Sequence, residues 1–247
     1  MFLEKSVFFK GKNYFDQKKR EGGSCVARAK KQNQRNQKEE YYSSVSEQFK
    51  LIRTNIDFSS IDEDIQVILI TSPESGTGKS TITSHLAVAY AQKGARTLLI
   101  DADLRKPTLH KYFSKNLYLG LSNVIKSDVC LEDCLQKISL ADCSLSILTS
   151  GPIIQNPNDL LSSKRMNELI ETLRGSFDKI IIDTPPVTVV SDALVLADSV
   201  DGTVLVCRYR KTLKEKARHA VNQLRLSKSK LLGVIFNGTK NAENYYY

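Results

Sequence analysis

Short, nearly continuous runs of apolar residues alternate with longer amphipathic segments from residue 43 onward. The runs predict β-strands, because parallel strands that are covered on both faces are apolar at almost every position. The segments between them carry apolar residues at helical spacing and predict α-helices. The predicted strands are 66–71, 96–101, 145–150, 178–183, 203–208 and 231–236, and the predicted helices are 43–57, 79–93, 158–174, 190–198 and 211–226.

This alternation of strands and helices predicts an α/β fold, doubly wound around a mostly parallel sheet. Ligands of such sheets bind at the carboxyl ends of the strands, and polar motifs of this sequence fall at those ends. We therefore expect one domain over residues 43–240 with its functional site at that edge of the sheet. Residues 1–42 are expected to be an N-terminal arm and residues 241–247 a C-terminal tail.

The positive charge of the chain is concentrated near its beginning. The net charge is +9, and residues 1–40 hold 11 basic against 5 acidic residues, a surplus of +6. A polar, basic segment of this kind favours a flexible arm over a packed domain. The arm could meet anionic lipid, nucleic acid or an acidic partner, but a solvated tail is the simpler interpretation and nucleic acid is not the expected partner.

Neither a membrane-spanning helix nor a secretory signal is predicted, because no stretch is both long and apolar enough. Five cysteines in a chain of 247 residues without such a signal do not indicate a disulfide framework. The sequence therefore predicts a cytoplasmic protein.

A glycine-rich segment, "TSPESGTGKST", follows the predicted strand 66–71 and precedes a helix. Glycines let backbone N–H groups turn toward phosphate oxygens, and the helix N-terminus adds a positive dipole. This is the chemistry of a P-loop NTPase: Lys79 would reach the β- and γ-phosphates, and the Ser80 hydroxyl would bind Mg²⁺. Pro73 departs from the strict pattern, which has Gly there. The expected nucleotide-binding residues are Ser75, Gly76, Thr77, Gly78, Lys79, Ser80, Thr81 and, after the last strand, Asn237.

Three aspartates follow two other predicted strands. "LLIDADLRKP" places Asp101 and Asp103 after the second strand, and "KIIIDTPP" places Asp183 after the fourth. A single Asp at the end of a strand is usually a turn or cap residue, but three that converge on one phosphate loop are harder to explain in that way. Mg²⁺ prefers hard oxygen ligands, so Asp183 is the natural metal carboxylate. Asp101 or Asp103 then remains to act on the nucleophile.

In the order of these motifs, the chain resembles the bacterial tyrosine kinases that regulate capsular and exopolysaccharide synthesis. The resemblance covers about residues 43–247 and includes "SPESGTGKST", "LLIDADLRKP", "TSGPIIQNPNDLL", "IIIDTPP" and a tyrosine-bearing C-terminus. It implies an ATP- and Mg²⁺-dependent protein-tyrosine kinase. It also implies that Lys79, Ser80, Asp101, Asp103 and Asp183 form the active site, with Asp101 as the base and Ser80, Asp103 and Asp183 at the metal.

The C-terminal cluster Tyr245, Tyr246 and Tyr247 is, by this resemblance, the site of autophosphorylation. Tyr245 lies eight positions after Asn237, a stretch that spans at most ~28 Å, so reach alone does not exclude transfer within one chain. The resemblance instead implies transfer to a neighbouring subunit. Each phosphate adds about −1.5 to −2 charges, which would favour release of the assembly.

The segment "EQFKLIRTN" is similar to the family's E-x-x-R-x-x-R element, which assembles a ring of subunits such as an octamer. Glu47 and Arg53 match, whereas Lys50 replaces an arginine and loses the planar fork that pairs with carboxylates. An ordinary solvated helix face is the alternative interpretation. The resemblance further implies a membrane-embedded adaptor of polysaccharide export that recruits the chain to the inner face of the membrane, and protein substrates of polysaccharide synthesis.

ParA/MinD-type positioning ATPases share the P-loop and both aspartate motifs and are the main alternative. They carry a signature lysine near the start of the loop, where this sequence has Glu74. A carboxylate cannot replace that cation, which favours the kinase. A regulatory subunit that binds ATP with little turnover is a third interpretation.

Overall fold

The computed structural model describes residues 6–9, 46–59, 64–126, 129–140 and 142–238. The described residues form one sheet of eight strands: β1 Ser6–Phe9, β2 Val67–Thr71, β3 Thr97–Asp101, β4 Leu135–Ser139, β5 Ser144–Leu148, β6 Lys179–Asp183, β7 Gly202–Arg208 and β8 Lys230–Asn237. Their order in the sheet is β1-β8-β7-β2-β6-β3-β5-β4. All neighbours pair in parallel except β4 and β5, which are antiparallel.

Helices cover both faces of this sheet. They are α1 Ser46–Phe58, α2 Lys79–Gln92, α3 Leu109–Phe113, α4 Leu121–Lys126, α5 Leu131–Cys134, α6 Pro157–Leu161, α7 Lys164–Ser176, α8 Asp192–Ala197 and α9 Lys214–Leu224. In the part of the chain that the structure describes, no helix is long and apolar enough to cross a membrane.

The continuous apolar runs of the sequence are explained by two hydrophobic cores, one on each face. Along β2, Val67 and Leu69 belong to the core that α7, α8 and α9 help to form, whereas Ile68 and Ile70 belong to the core that contains α1 and α2. All four side chains are fully buried. Since successive residues of a strand point to opposite faces, both phases of the strand must be apolar. The predicted doubly wound α/β fold is confirmed.

All six predicted strands are present, but the sequence did not predict β1 and β4. β1 pairs with β8 and lies within the stretch assigned to the N-terminal arm, so part of that stretch contributes an edge strand to the sheet. β4 is a partly exposed edge strand that lacks the continuous apolar pattern of the central strands. The predicted helix 158–174 is two helices, because Ser163 caps the second one: its hydroxyl accepts a hydrogen bond from Met166 N at 3.2 Å.

The strand order brings the polar motifs together. β2 lies next to β6, and β6 lies next to β3, so the P-loop after β2 adjoins the aspartates that end the two other strands. In the register of β3 and β6, Asp101 pairs with Asp183. The carboxyl edge of the sheet is therefore where these motifs meet, as expected from their positions at strand ends.

Candidate functional site

A cavity of about 500 Å³ opens where the P-loop meets the loops that follow β3 and β6. Its volume is sufficient for a small-molecule ligand. Residues 75–81, which the sequence predicts to bind the nucleotide, line it together with Asp103. Eleven residues that were not predicted complete the lining: Ser72, Glu74, Arg105, Lys106, Thr108, Lys111, Tyr112, Pro185, Pro186, Val189 and Val190.

The backbone of the P-loop needs glycine at two positions only. Gly76 has a φ of 79° and Gly78 a φ of 86°, in the left-handed region that favours glycine. Pro73 does not adopt a positive φ, so the restricted ring of proline is compatible with the loop there. The departure from the strict motif therefore lies at a position where glycine is not required by the backbone.

Asp183 organises the start of α2. One carboxylate oxygen, Oδ1, lies 2.7 Å from Lys79 Nζ and accepts a hydrogen bond from Thr83 Oγ1 at 2.9 Å. The other, Oδ2, accepts a hydrogen bond from Ser80 Oγ at 2.6 Å. Asp183 is fully buried, so these partners compensate a charge that would otherwise be costly. Thr83 was not predicted, although its position one helical turn after Lys79 is a usable signal.

Asp101 is fully buried and does not line the cavity. Its Oδ1 accepts a hydrogen bond from Asp103 N at 3.2 Å, and its Oδ2 accepts hydrogen bonds from the backbone N–H groups of Thr108 and Leu109 at 3.2 and 3.1 Å. Burial raises the pKa of Asp101 to about 7, and the neighbouring Asp183 carboxylate contributes to that rise, against the lowering effect of the Leu109 N–H. Asp101 therefore holds its loop in place and titrates near neutral pH.

Asp103 differs from Asp101 because it lines the cavity. Its Oδ1 accepts a hydrogen bond from Lys106 N at 3.0 Å. Burial raises the pKa of Asp103, and the charge of Lys79 opposes that rise. Of the two carboxylates of the "DADLRKP" motif, Asp103 thus faces the ligand space and Asp101 supports the loop behind it.

Asn237 connects the end of β8 to the P-loop. Its Nδ2 donates a hydrogen bond to the carbonyl oxygen of Thr77 at 2.8 Å. Its Oδ1 and the Thr77 hydroxyl are buried without a partner. A Cβ atom at Gly78 would lie only 2.0 Å from Asn237 Nδ2, so glycine is required here for packing as well as for conformation. Unpaired buried polar atoms beside a phosphate loop suit a polar ligand.

The oxygen atoms at the site fit a nucleotide-bound Mg²⁺ ion. Ser80 and Asp183 place a hydroxyl and a carboxylate together, and Asp103 adds a carboxylate to the cavity wall. Among the described residues, no cluster of three or more His, Cys, Asp or Glu side chains is arranged to hold a metal by itself. A magnesium ion here would complete its octahedral coordination with water or phosphate oxygens.

Glu74, at the position of the signature lysine, forms an ion pair with Lys216 of α9, with Oε2 2.8 Å from Nζ. The hydrogen bond from Lys216 lowers the pKa of Glu74. The start of the P-loop therefore carries a stabilised negative charge instead of a cation.

The three predicted oligomerisation residues lie on α1. Lys50 Nζ is 2.6 Å from Glu47 Oε1; the Glu47 side chain is 80% exposed and the Lys50 side chain 46%. Arg53 differs, because its Nη1 donates a hydrogen bond to the carbonyl oxygen of Ala89 in α2 at 2.6 Å. Arg53 thus also joins two helices of the same chain. The predicted phosphorylation sites Tyr245, Tyr246 and Tyr247 lie outside the described residues.

Another pair that the sequence did not predict is Arg105 and Asp192. Two nitrogens of the Arg105 guanidinium donate to the two carboxylate oxygens of Asp192, at 2.8 and 3.0 Å. Arg105 stands in the "DADLRKP" motif, which was a usable signal, but its partner lies 87 positions away. No local pattern indicates that pairing.

Comparison with known proteins places this site in a functional context. Residues 68–245 match the family described as the CobQ/CobB/MinD/ParA nucleotide binding domain. The tyrosine-protein kinase YwqD of Bacillus subtilis (strain 168) is 46% identical over 205 residues, which cover 82% of this chain and 86% of YwqD.

Solved structures agree with this match. The chimerical protein CapA2B2 superposes with a TM-score of 0.75 at 39% identity, over 80% of this chain and 86% of that protein. The kinase domain of the Escherichia coli tyrosine kinase ETK superposes with the same TM-score of 0.75 at 30% identity, over 83% of this chain and 80% of that domain.

Proposed function

Since the chain belongs to the bacterial tyrosine-protein kinases within the CobQ/CobB/MinD/ParA nucleotide-binding family, we propose that it autophosphorylates its C-terminal tyrosines with ATP. Capsular or exopolysaccharide synthesis is the process that it would regulate. The observation that carries this proposal is the convergence of Lys79, Ser80 and Asp183 beside one cavity, within hydrogen-bonding distance of each other.

The cations and N–H groups of the P-loop would bind the phosphates of ATP. Lys79, which pairs with Asp183 in the structure, would reach the β- and γ-phosphates, and the first turn of α2 would direct its N–H groups at them. Ser80, Asp103 and Asp183 would hold Mg²⁺, which neutralises negative charge on the nucleotide. Phosphoryl transfer depends mainly on such positioning and charge stabilisation.

The tyrosine hydroxyl needs a base, because its ordinary pKa of ~10 leaves it protonated at neutral pH. By the resemblance to the bacterial tyrosine kinases, we assign this role to Asp101, which ends β3 opposite Asp183 and two residues before the cavity-lining Asp103. As the bond from phosphorus to the tyrosine oxygen forms and the bond to the leaving oxygen of ADP breaks, Asp101 would take the hydroxyl proton. Because Asp101 has no exposed surface, the acceptor oxygen must displace part of the loop after β3. Asp103, on the cavity wall, is the alternative base.

A ring of subunits would bring one subunit's tail to the site of the next. Glu47 and Lys50 form a solvent-exposed ion pair on α1 and would take part in such a contact. The resemblance to kinases of polysaccharide systems supports a membrane-embedded adaptor as activator, protein substrates of polysaccharide synthesis, and recruitment to the inner face of the membrane.

The experiment that tests transfer between subunits uses two full-length variants. One carries Lys79→Met and serves as the acceptor, and the other carries Phe at positions 245–247 and serves as the donor. Phosphotyrosine on the Lys79→Met chain, only when both are mixed with Mg·ATP, is the expected result. No phosphotyrosine in the mixture, despite autophosphorylation of the wild type, would restrict transfer to one chain.

A positioning ATPase is the second candidate because the nucleotide-binding family includes MinD and ParA. The ion pair between Glu74 and Lys216 opposes it, since the start of the loop carries a carboxylate in place of the signature lysine. ATP hydrolysis by the wild type without any phosphotyrosine would support this candidate over the kinase.

A further inference from the structure

Arg105 lines the cavity, and the buried carboxylate of Asp192 fixes the orientation of its guanidinium group. Its Nε and Nη2 donate to Oδ2 and Oδ1 of Asp192 at 2.8 and 3.0 Å. This bidentate pair fixes the orientation of the guanidinium plane, which a single hydrogen bond would not do. Asp192 is fully buried, whereas 39% of the Arg105 side chain is exposed. The remaining edge of the guanidinium, which includes Nη1, is not used in this pair.

Asp192 is itself held from a second direction. Asn158 Nδ2 lies 2.9 Å from Ser191 Oγ and 3.5 Å from Asp192 Oδ1. Asn158 belongs to the segment "TSGPIIQNPNDLL". None of the proposed phosphate-binding or metal-binding residues comes from this segment. The carboxylate that orients Arg105 is thus supported by α6 and stands at the start of α8.

Arg105 lines the same cavity as Asp103 and Lys79, two residues of the proposed active site. It follows Asp103 by two residues on the loop after β3, and both line the cavity with Lys79 of the P-loop. The charge of Asp103 contributes to the raised pKa of Arg105, after the hydrogen bond with Asp192. Lys79 and Arg105 therefore place positive charge on the cavity wall from two separate loops.

We propose that Arg105 is a second catalytic cation, which stabilises the γ-phosphoryl group during transfer, and that Asp192 is its positioning residue. This inference rests on the proposed kinase function. Negative charge accumulates on the oxygens of the transferring group, and guanidinium groups fixed in advance stabilise such charge effectively. The signature lysine of positioning ATPases is absent, because Glu74 occupies its place and pairs with Lys216. Arg105 supplies a cation from another loop.

The competing explanation is that Arg105 only neutralises the buried Asp192. The two explanations differ in the double variant Arg105→Gln, Asp192→Asn, which removes both charges at once. In the single variant Arg105→Gln, the buried carboxylate loses its partner and the fold loses stability for that reason alone. In the double variant that penalty is absent, so any remaining loss of activity reports on the missing cation.

The test measures full-length wild type, both single variants and the double variant with Mg·ATP. The readouts are the initial rate of phosphotyrosine formation, the Kd of Mg·ATP by calorimetry and the melting temperature. We expect the double variant to recover a wild-type melting temperature and Kd, yet to transfer phosphate about 100-fold more slowly, as when one donor to a transition-state charge is removed. Asp192→Asn, which keeps the cation but loosens it, should reduce the rate less.

The matched control is Arg96→Gln. Arg96 forms a similar pair with Asp178, in which Nε and Nη2 lie 3.0 and 2.6 Å from Oδ1, but at the opposite end of β3. The Arg96→Gln variant should form phosphotyrosine at the same rate as the wild type. A double variant that transfers phosphate at the wild-type rate would overturn the role of Arg105 and leave the kinase function intact. Absence of phosphotyrosine in the wild type would instead contradict the kinase function itself.

Discussion

Lys79 and Asp183 form a buried ion pair, with Nζ 2.7 Å from Oδ1. This pair joins the first residue of the P-loop helix to the last residue of β6. Lys79 is therefore a structural partner of Asp183 in this structure, in addition to its proposed role at the phosphates. Removal of the lysine should affect both stability and catalysis.

We predict that Lys79→Met abolishes tyrosine phosphorylation and lowers the free energy of unfolding by about 3 kcal/mol, because it leaves a buried carboxylate without its cation. Ser80 and Thr83 still donate to Asp183, so the chain should remain folded. Urea denaturation and an assay for phosphotyrosine measure the two effects.

The control is Lys93→Met, at the other end of the same helix. Lys93 pairs with Asp57 at 3.1 Å, but its side chain is 57% exposed. Such a surface pair should change stability by less than ~1 kcal/mol and leave transfer unchanged. Full activity in Lys79→Met would contradict the proposed phosphate site.

Gly78→Ala should abolish nucleotide binding. A Cβ atom there would collide with Asn237 Nδ2 at 2.0 Å, and alanine disfavours the φ of 86°. Calorimetric titration with Mg·ATP measures the loss. Gly94→Ala is the matched control, because Gly94 has a similar φ of 92° but open space around it. The Gly94→Ala variant should lose about 1 kcal/mol of stability and should bind Mg·ATP as tightly as the wild type. Equal binding by both variants would contradict the role assigned to the loop.

The assignment of Asp101 as base predicts the pH dependence of transfer. The raised pKa of about 7 means that the carboxylate form becomes dominant only as pH rises through 7. The rate of phosphotyrosine formation should therefore increase from about pH 6 to about pH 8.

Asp101→Asn should lower the rate by about 10²-fold or more at every Mg²⁺ concentration. Asp103→Asn should instead raise the Mg²⁺ concentration needed for half-maximal rate. The reverse pattern would exchange the two roles.

The same carboxyl group affects stability. Its pKa in the folded state lies above its ordinary value of 3.8, so the folded state binds this proton more strongly than the unfolded state. The contribution of Asp101 to stability must then decrease as pH rises from about 4 to about 7. Asp101→Asn should remove that part of the slope in urea denaturation measured across this pH range. An unchanged slope would contradict the raised pKa.

Glu47→Ala combined with Lys50→Ala should dissociate the proposed ring without changing the net charge. The ion pair between them is exposed to solvent, so its loss should change the melting temperature little. Light scattering after gel filtration measures the mass of the assembly. The control removes a similar exposed pair on α7, Lys164 and Glu168, 3.4 Å apart, and should leave the mass unchanged. Equal masses for the two double variants would contradict a subunit contact through Glu47 and Lys50.

Burial and motif position explain what could be predicted from the sequence. The central strands are apolar on both faces, so their runs are recognisable, and the positions of Asp101 and Asp183 at the carboxyl ends of parallel strands correctly predict that the two meet. β4 was missed because its burial is irregular at the edge of the sheet. The pairing of Arg105 with Asp192 joins distant parts of the chain through tertiary packing, and no periodicity records it.

The most direct test of the central claim is mass spectrometry of the C-terminal peptide after incubation of the full-length protein with Mg·ATP, with and without a candidate adaptor tail. The kinase function predicts phosphate on Tyr245, Tyr246 or Tyr247 in the wild type and none in Lys79→Met. Hydrolysis of ATP with an unmodified peptide under both conditions would contradict it.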